Sequence, residues 1–361
     1  MSTLLIQSLL EIIIGIFTLF AGGEFFVQGA ASLSLILGIP QLVIGLTVVS
    51  LGTSAPELFV SIGSFLRGSD AIAVGNIVGS NIFNVLVVLG SSALVMPLRV
   101  ESRLVRRDVP LLLAVSAAVW GMASSGSFSW QSGFALLIAL GINTIWEIRT
   151  AREEPQGIQD AEPEVKFNSY SKKWIRAFGK IIAGILILGF GSNLLISGAK
   201  SLAGAYGWSE TVIGLTIVSA GTSMPELITS LVASLRGKTD LAIGNVIGSS
   251  LLNQLLVLGS CAFFSGSKGL AVEEILIQRD IPIMLLSVLA CMPIFWTKGI
   301  ISRSEGAILL LLYVLYLADQ IIPYTIPTFQ DELRIIAIFL ILPVVLLLVS
   351  FKAYRYWHKL T

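Results

Sequence analysis

Two six-residue stretches carry the chemistry of this sequence: "GTSAPE" at 52 to 57 and "GTSMPE" at 221 to 226. Each sets a proline, two hydroxyls and a carboxylate inside an otherwise apolar run. Pro56 has no N–H, so the carbonyl of Gly52 loses its helical partner, and Pro225 does the same to Gly221. In hydrocarbon a freed group of this kind costs several kcal/mol unless something satisfies it, and a cation can. Thr53, Ser54, Thr222 and Ser223 supply hydroxyl oxygens at the same level, and Glu57 and Glu226 supply negative charge. A carboxylate at the bilayer centre costs about 3 kcal/mol on insertion scales, so two such groups call for a counter-charge.

A second pair of motifs adds more oxygen. "GNIVGSNIFN" (75–84) and "GNVIGSSLLN" (244–253) place Ser80 and Asn84, and again Ser249 and Asn253, four residues apart on one helical face. Carboxylate, amide and hydroxyl oxygens without thiolate or imidazole form a hard site. That set suits Ca²⁺, which takes six to eight oxygens, better than Zn²⁺ or copper. Mg²⁺ fits less well, because it demands a rigid octahedron and keeps water. Taken singly, a Gly-Thr-Ser-Pro knot reads as a kink satisfied by neighbouring helices. The same knot twice, with Glu at the equivalent position, reads as a site. The glycines of "GNIVGS" and "GNVIGS" read as close-packing positions. Asn76 and Asn245 read as braces, and Glu24, whose repeat partner is Asn193, as a residue outside the site.

The elements that position these residues follow from composition. The chain has 361 residues, 55% hydrophobic and 12% charged; a soluble domain carries about 25% charged residues. This is a polytopic, all-α membrane protein. A net charge of +1 gives no footing for a nucleic-acid partner. Cys261 and Cys291 lie in apolar runs and read as buried thiols, and the only histidine, His358, lies in the basic tail. The first apolar run lacks a basic start and a cleavage site, and reads as a retained helix. Spans of roughly 20 residues are expected at about 4–36, 41–66, 71–97, 108–122 and 131–149. Five more follow at 175–205, 210–235, 240–265, 280–297 and 304–322, and an eleventh at 333–351. The run at 108–122 is short for a span. Four segments result: 1–150, a polar cytoplasmic linker at 151–174, 175–322, and 323–361 with the extra helix and basic tail. With the N-terminus outside, the inward connections collect Arg99, Arg103, Arg106, Arg107, Arg236 and Lys238, while the outward ones hold few basic residues. The positive-inside rule therefore favours N-terminus out and C-terminus in.

Sliding the sequence by 169 residues superposes "IGLTVVSLGTSAPEL" on "IGLTIVSAGTSMPEL" and then 75–90 on 244–259 without a gap. The match reaches back through Gly22/Gly191 and Gly29/Gly198, and forward to "RRDVP" (106–110) and "QRDIP" (278–282). This is an internal duplication. Five helices per copy is an odd number, so the second copy enters the membrane the other way up: the inverted-repeat plan of secondary transporters, with sites near the midplane.

On these paired motifs the sequence resembles the calcium/cation antiporter superfamily, specifically the sodium/calcium exchanger family and its bacterial relatives. The resemblance covers about residues 4 to 322. It implies four ion sites holding Ca²⁺ and Na⁺. By position, the ligands are Thr53, Ser54, Glu57, Ser80 and Asn84 with Thr222, Ser223, Glu226, Ser249 and Asn253, plus main-chain carbonyls near Ser50 and Ser219. It also implies that the first and sixth helices slide across the rest to alternate access. One departure carries a consequence. The family places an aspartate in one of the slots held here by Asn84 and Asn253. Two glutamates balance one Ca²⁺ or two monovalent ions, and a third Na⁺ would leave net positive charge in a low dielectric. The expected function is thus Ca²⁺ exchange against Na⁺, with H⁺ as the alternative counter-ion because desolvation favours a neutral carboxyl. No cofactor, nucleic acid or ATP is implied, since no phosphate-binding loop is present; the partners are the ions and the bilayer. A bacterial plasma (inner) membrane is the expected location. A cation channel is the alternative of another class, distinguished by Ca²⁺ flux without an opposing gradient. An enzyme is disfavoured, because no general base–nucleophile pair stands near the knots.

Overall fold

A computed structural model describes residues 2–37, 41–153, 167–205, 212, 214–296 and 299–325. Helix α1 (Ser2–Leu37) is followed by a bent pair, α2a (Gly45–Thr53) and α2b (Ala55–Leu66), and then by α3 (Asp70–Val95), α4 (Val109–Ala123) and α5 (Trp130–Glu153). The second half repeats the order with α6 (Phe167–Ala205), the bent pair α7a (Gly214–Thr222) and α7b (Met224–Leu235), α8 (Thr239–Phe264), α9 (Ile281–Trp296) and α10 (Arg303–Thr325). Five of these helices are long and apolar enough to cross a membrane, or seven with each bent pair taken as one span. Helices α4 and α9 have 15 and 16 residues. Each is preceded by a five-residue π turn, Leu104–Asp108 and Leu276–Asp280, that brings it close to spanning length. The expected run at 333–351 lies outside the described residues. Helix covers both ends of the stretch read as linker, since α5 continues to Glu153 and α6 begins at Phe167.

Burial separates two kinds of helix. The central α3 and α8 are 89% buried over their apolar windows, whereas α1 and α6 are 38% and 28% buried. The last two pack mainly on each other and turn rows such as Ile13, Phe17 and Phe20, or Ile182, Leu186 and Phe190, outward. Outward apolar rows are what a lipid environment dictates. A glycine seam lets the two backbones meet. A Cβ at Gly22 would lie 2.8 Å from the Leu188 nitrogen, and one at Gly184 2.8 Å from the Phe26 nitrogen. Small residues replace the hydrophobic effect as the basis of close packing between helices in lipid.

The two halves interlock at their loops as well. Strand β1 (Leu98–Arg99) pairs antiparallel with β4 (Ile300–Ile301), and β2 (Ser127–Phe128) pairs with β3 (Leu270–Ala271). Each two-stranded clasp joins a loop of one half to a loop of the other. A further clasp is ionic: Arg236, at the end of α7b, bonds Glu24 of α1, and Lys180 of α6 donates to Gln28 at 2.8 Å.

A candidate cation site between the two bends

Each bend has a local cause. Pro56 and Pro225 stand in the first turn of α2b and α7b, where a missing N–H breaks no helical bond and the ring pre-sets φ. The break falls two residues earlier, at Ser54 (φ −79°, ψ 2°) and Ser223 (φ −86°, ψ 5°), and the axes turn by 48° and 47°. The turn before each bend is widened to π geometry, at Gly45–Val49 and Gly214–Val218. Asn84 and Asn253 open two further π segments in the middle of α3 and α8. Such bulges recur at functional sites, because they redirect side chains that an α-helix would aim elsewhere. The sequence contains no simple signature of them.

The structure brings all twelve predicted residues into one buried zone: Ser54 is 4% exposed and the other eleven are fully buried. Their contacts are reciprocal. Ser54 Oγ donates to Glu226 Oε1 at 3.1 Å, and Ser223 Oγ donates to Glu57 Oε1 at 2.8 Å. Thr53 Oγ1 donates to Asn245 Oδ1 and Thr222 Oγ1 to Asn76 Oδ1, both at 3.1 Å. Thr53 also lies 3.4 Å from Ser249 Oγ, and Thr222 3.5 Å from Ser80 Oγ. Ser50 Oγ donates to the Asn245 carbonyl at 3.3 Å, while the Ser219 carbonyl accepts from Ser80 Oγ at 3.5 Å. In the first three of these pairs a residue of one half touches a residue of the other, and their repeat partners touch in the same way. The two glutamates therefore face a common space rather than separate regions.

What remains unpaired there is informative. Oε2 of Glu57, Oε2 of Glu226 and both amide atoms of Asn84 and Asn253 are buried with no hydrogen-bond partner. Native proteins satisfy the great majority of buried polar atoms, so each exception needs a reason. The carboxylate and amide oxygens of this set, with hydroxyls able to turn their lone pairs inward, are the acceptors a desolvated cation requires, while the two amide nitrogens are donors. No group of three or more His, Cys, Asp or Glu side chains that could hold a metal occurs among the described residues. The zone relies on two carboxylates and neutral oxygens, a set suited to hard ions that must also leave.

Several outer residues are assigned by the geometry. Asn76 and Asn245 act as braces: their Nδ2 atoms donate to Ser61 at 2.9 Å and Ser230 at 3.0 Å, which aims each Oδ1 at a threonine of the other half. Ser61 and Ser230 occupy the same repeat position, and that identity was the available signal for them. Glu24 lies outside the zone and pairs with Arg236. A pair of ion clusters also went unnoticed in the sequence, although "RRDVP" and "QRDIP" mark them. Arg107 bonds Glu147 at 2.8 Å and Asn143 at 3.2 Å, and Arg279 bonds Asp280 at 3.1 Å and Gln320 at 2.7 Å.

Paired, broken membrane helices that bring two carboxylates together among neutral oxygens define the class of ion-translocating membrane proteins with duplicated halves. The sequence pattern of the sodium/calcium exchanger protein family matches residues 7–149 and 176–322, and the chain belongs to that family. It is 30% identical over 341 residues to the sodium/calcium exchanger MaX1 of Methanosarcina acetivorans, covering 85% of this chain and 97% of MaX1. It is 32% identical over 310 residues to the inner membrane protein YrbG of Escherichia coli, covering 85% of this chain and 94% of YrbG. The solved structure of the sodium-calcium exchanger NCX_Mj, soaked with Na⁺ and Sr²⁺, superposes with a TM-score of 0.72. It is 29% identical and covers 87% of this chain and 98% of that one.

Proposed function

We propose that this protein is a secondary antiporter that exchanges Ca²⁺ for Na⁺ across a bacterial inner membrane by alternating access, with H⁺ as the alternative counter-ion. The observation that carries this reading is the reciprocal pair Ser54–Glu226 and Ser223–Glu57, flanked by the unpaired oxygens of Asn84 and Asn253. Thr53, Ser54, Glu57, Ser80 and Asn84, with Thr222, Ser223, Glu226, Ser249 and Asn253, form the ligand set, and the carbonyls of Ser50 and Ser219 complete it. The two halves are inverted repeats of five helices each, N-terminus out, so that opposite membrane faces gain access in turn. Helices α1 and α6, loosely buried and zipped by glycine, are the moving pair.

Charge sets the stoichiometry. Two carboxylates neutralise one Ca²⁺, two Na⁺ or two protons, and electroneutral exchange of one divalent for two monovalent ions follows. The test is Ca²⁺ uptake into proteoliposomes under Na⁺ and pH gradients imposed separately. Uptake driven by the Na⁺ gradient alone supports sodium coupling, and uptake driven only by the pH gradient assigns the proton. Uptake that needs neither gradient describes a channel and removes the antiport reading. The variant Asn253→Asp adds a third carboxylate, so its transport should depend more steeply on Na⁺. An unchanged Na⁺ profile would contradict the charge argument.

A further inference from the structure

Gln254 stands one residue after Asn253, in the π segment of α8, and is fully buried. Leu251 and Leu255 beside it belong to the apolar core, as does Leu112 of α4. A primary amide in such surroundings is costly unless it is hydrogen-bonded. Its Nε2 donates to Asn81 Oδ1 of α3 at 3.1 Å and to Ser116 Oγ of α4 at 3.0 Å, which uses both of its hydrogens. Asn81 is held in turn, because its Nδ2 donates to the Ile77 carbonyl one turn back at 2.8 Å. Gln254 Oε1 is buried with no hydrogen-bond partner.

The other half is built differently at this place. The repeat partner of Gln254 is Val85 and that of Asn81 is Ser250; counting from "RRDVP" and "QRDIP", Ser116 corresponds to Val288. Val85 and Val288 are core residues, and Ser250 Oγ donates to the Val246 carbonyl of its own helix at 2.8 Å. An apolar side chain therefore suits the position, and it would avoid the penalty of the unpaired Oε1. The amide has a role other than filling space.

That role lies in what its bond connects. The hydrogen bonds of the candidate site run from α2a to α8, from α7a to α3, and between the two bends; none of them joins α3 to α8. Yet α3 and α8 carry Ser80, Asn84, Ser249 and Asn253. Asn81 follows Ser80 and Gln254 follows Asn253, so the Gln254–Asn81 bond fixes the spacing of the two helices directly beside those oxygens. Ser116 ties the same amide to a third helix.

We propose that Gln254 is a positioning residue: it sets the spacing of α3 and α8, and with it the size of ion that the site accepts. This rests on the ion-exchange reading of the site. A cage of fixed spacing separates ions of one charge by size, and a loose cage separates them less. The test is calorimetric titration of the purified full chain with Ca²⁺ and with Sr²⁺, a larger ion of the same charge, alongside thermal melting. Gln254→Met nearly keeps the length of the side chain and removes both bonds. Asn81→Ser installs the residue of the other half and removes the shared bond from α3. Each should shift the ratio of Ca²⁺ to Sr²⁺ affinity towards Sr²⁺ about fivefold, the weight of one hydrogen bond. The two together should shift it no further than one alone. A role in packing alone would lower the melting temperature and leave the ratio at its wild-type value, and that result would overturn the proposal. Two shifts that add would also overturn it, because they would have separate causes. Wild type that binds neither ion removes the ion-exchange reading and this inference with it. Wild type that binds both, with variants that keep its ratio, removes this inference alone. Should Gln254→Met fail to fold, Asn81→Ser decides.

Discussion

Glu226→Gln and Glu57→Gln are each expected to stop Ca²⁺ exchange while leaving a folded, inserted protein. The amide nearly matches the carboxylate in shape, and its oxygen still accepts the hydrogen bond from Ser54 or Ser223. Only the charge is removed. A unit charge about 4 Å from a cation contributes about 4 kcal/mol at an effective dielectric near 20. Two of those units neutralise the divalent ion, so losing one leaves it half-balanced. At 1.4 kcal/mol per factor of ten, that is about a thousandfold for each unit of ionic charge, so the affinity for a divalent ion should drop by at least that much. The measurement is Ca²⁺ binding by calorimetry together with vesicle uptake, with gel filtration as the check on folding. Either variant transporting at the wild-type rate would remove the paired carboxylates from the mechanism.

The second large effect is steric. Helices α2a and α8 touch through Gly248, and α7a and α3 touch through Gly79. A Cβ on Gly248 would come within 2.2 Å of Ser50 Oγ and 2.6 Å of the Leu46 carbonyl. On Gly79 it would meet the Leu215 carbonyl at 2.5 Å and Ser219 Oγ at 2.6 Å. Backbone carbonyls cannot swing aside, so the helices must part. Overpacking of this kind costs about 1–3 kcal/mol. The greater harm falls on the site, because parting α2a from α8 separates Thr53 from Asn245 and Ser249. Gly248→Ala and Gly79→Ala should therefore lower both the melting temperature and Ca²⁺ affinity. Gly63, on α2b, has open space around it. Gly63→Ala should leave binding intact and raise stability by up to about 1 kcal/mol through helix propensity. Equal behaviour of all three variants would show that close helix approach does not shape the site.

The candidate site was legible in the sequence because its residues fall in local motifs. Glu57 stands three residues after Ser54, and Asn84 four after Ser80, so each half-site is carried by two short motifs on neighbouring helices. Duplication then supplied the second half without any knowledge of packing. What stayed hidden depends on the meeting of distant segments. The sequence shows that Asn76 and Asn245 repeat, but not that each reaches a threonine on the opposite half. The run at 108–122 reads as short, because the turn that opens its helix carries Arg106, Arg107 and the buried Asp108. Arg107 is neutralised from α5, as Arg279 is from α10 in the other half, which a hydropathy reading cannot foresee. The six π turns among the described residues, too, carry no common residue signature.

The crossed hydrogen bonds have a consequence for heredity. Ser54 belongs to one half but serves the glutamate of the other, so damage to either half is suffered by its sibling. Around these crossed bonds the two copies remain nearly letter-for-letter alike. They diverge elsewhere, at the buried centre as well, where Asn81 stands opposite Ser250 and Val85 opposite Gln254 in the repeat. An ancient doubling of this kind has become a mutual dependency that neither copy can leave.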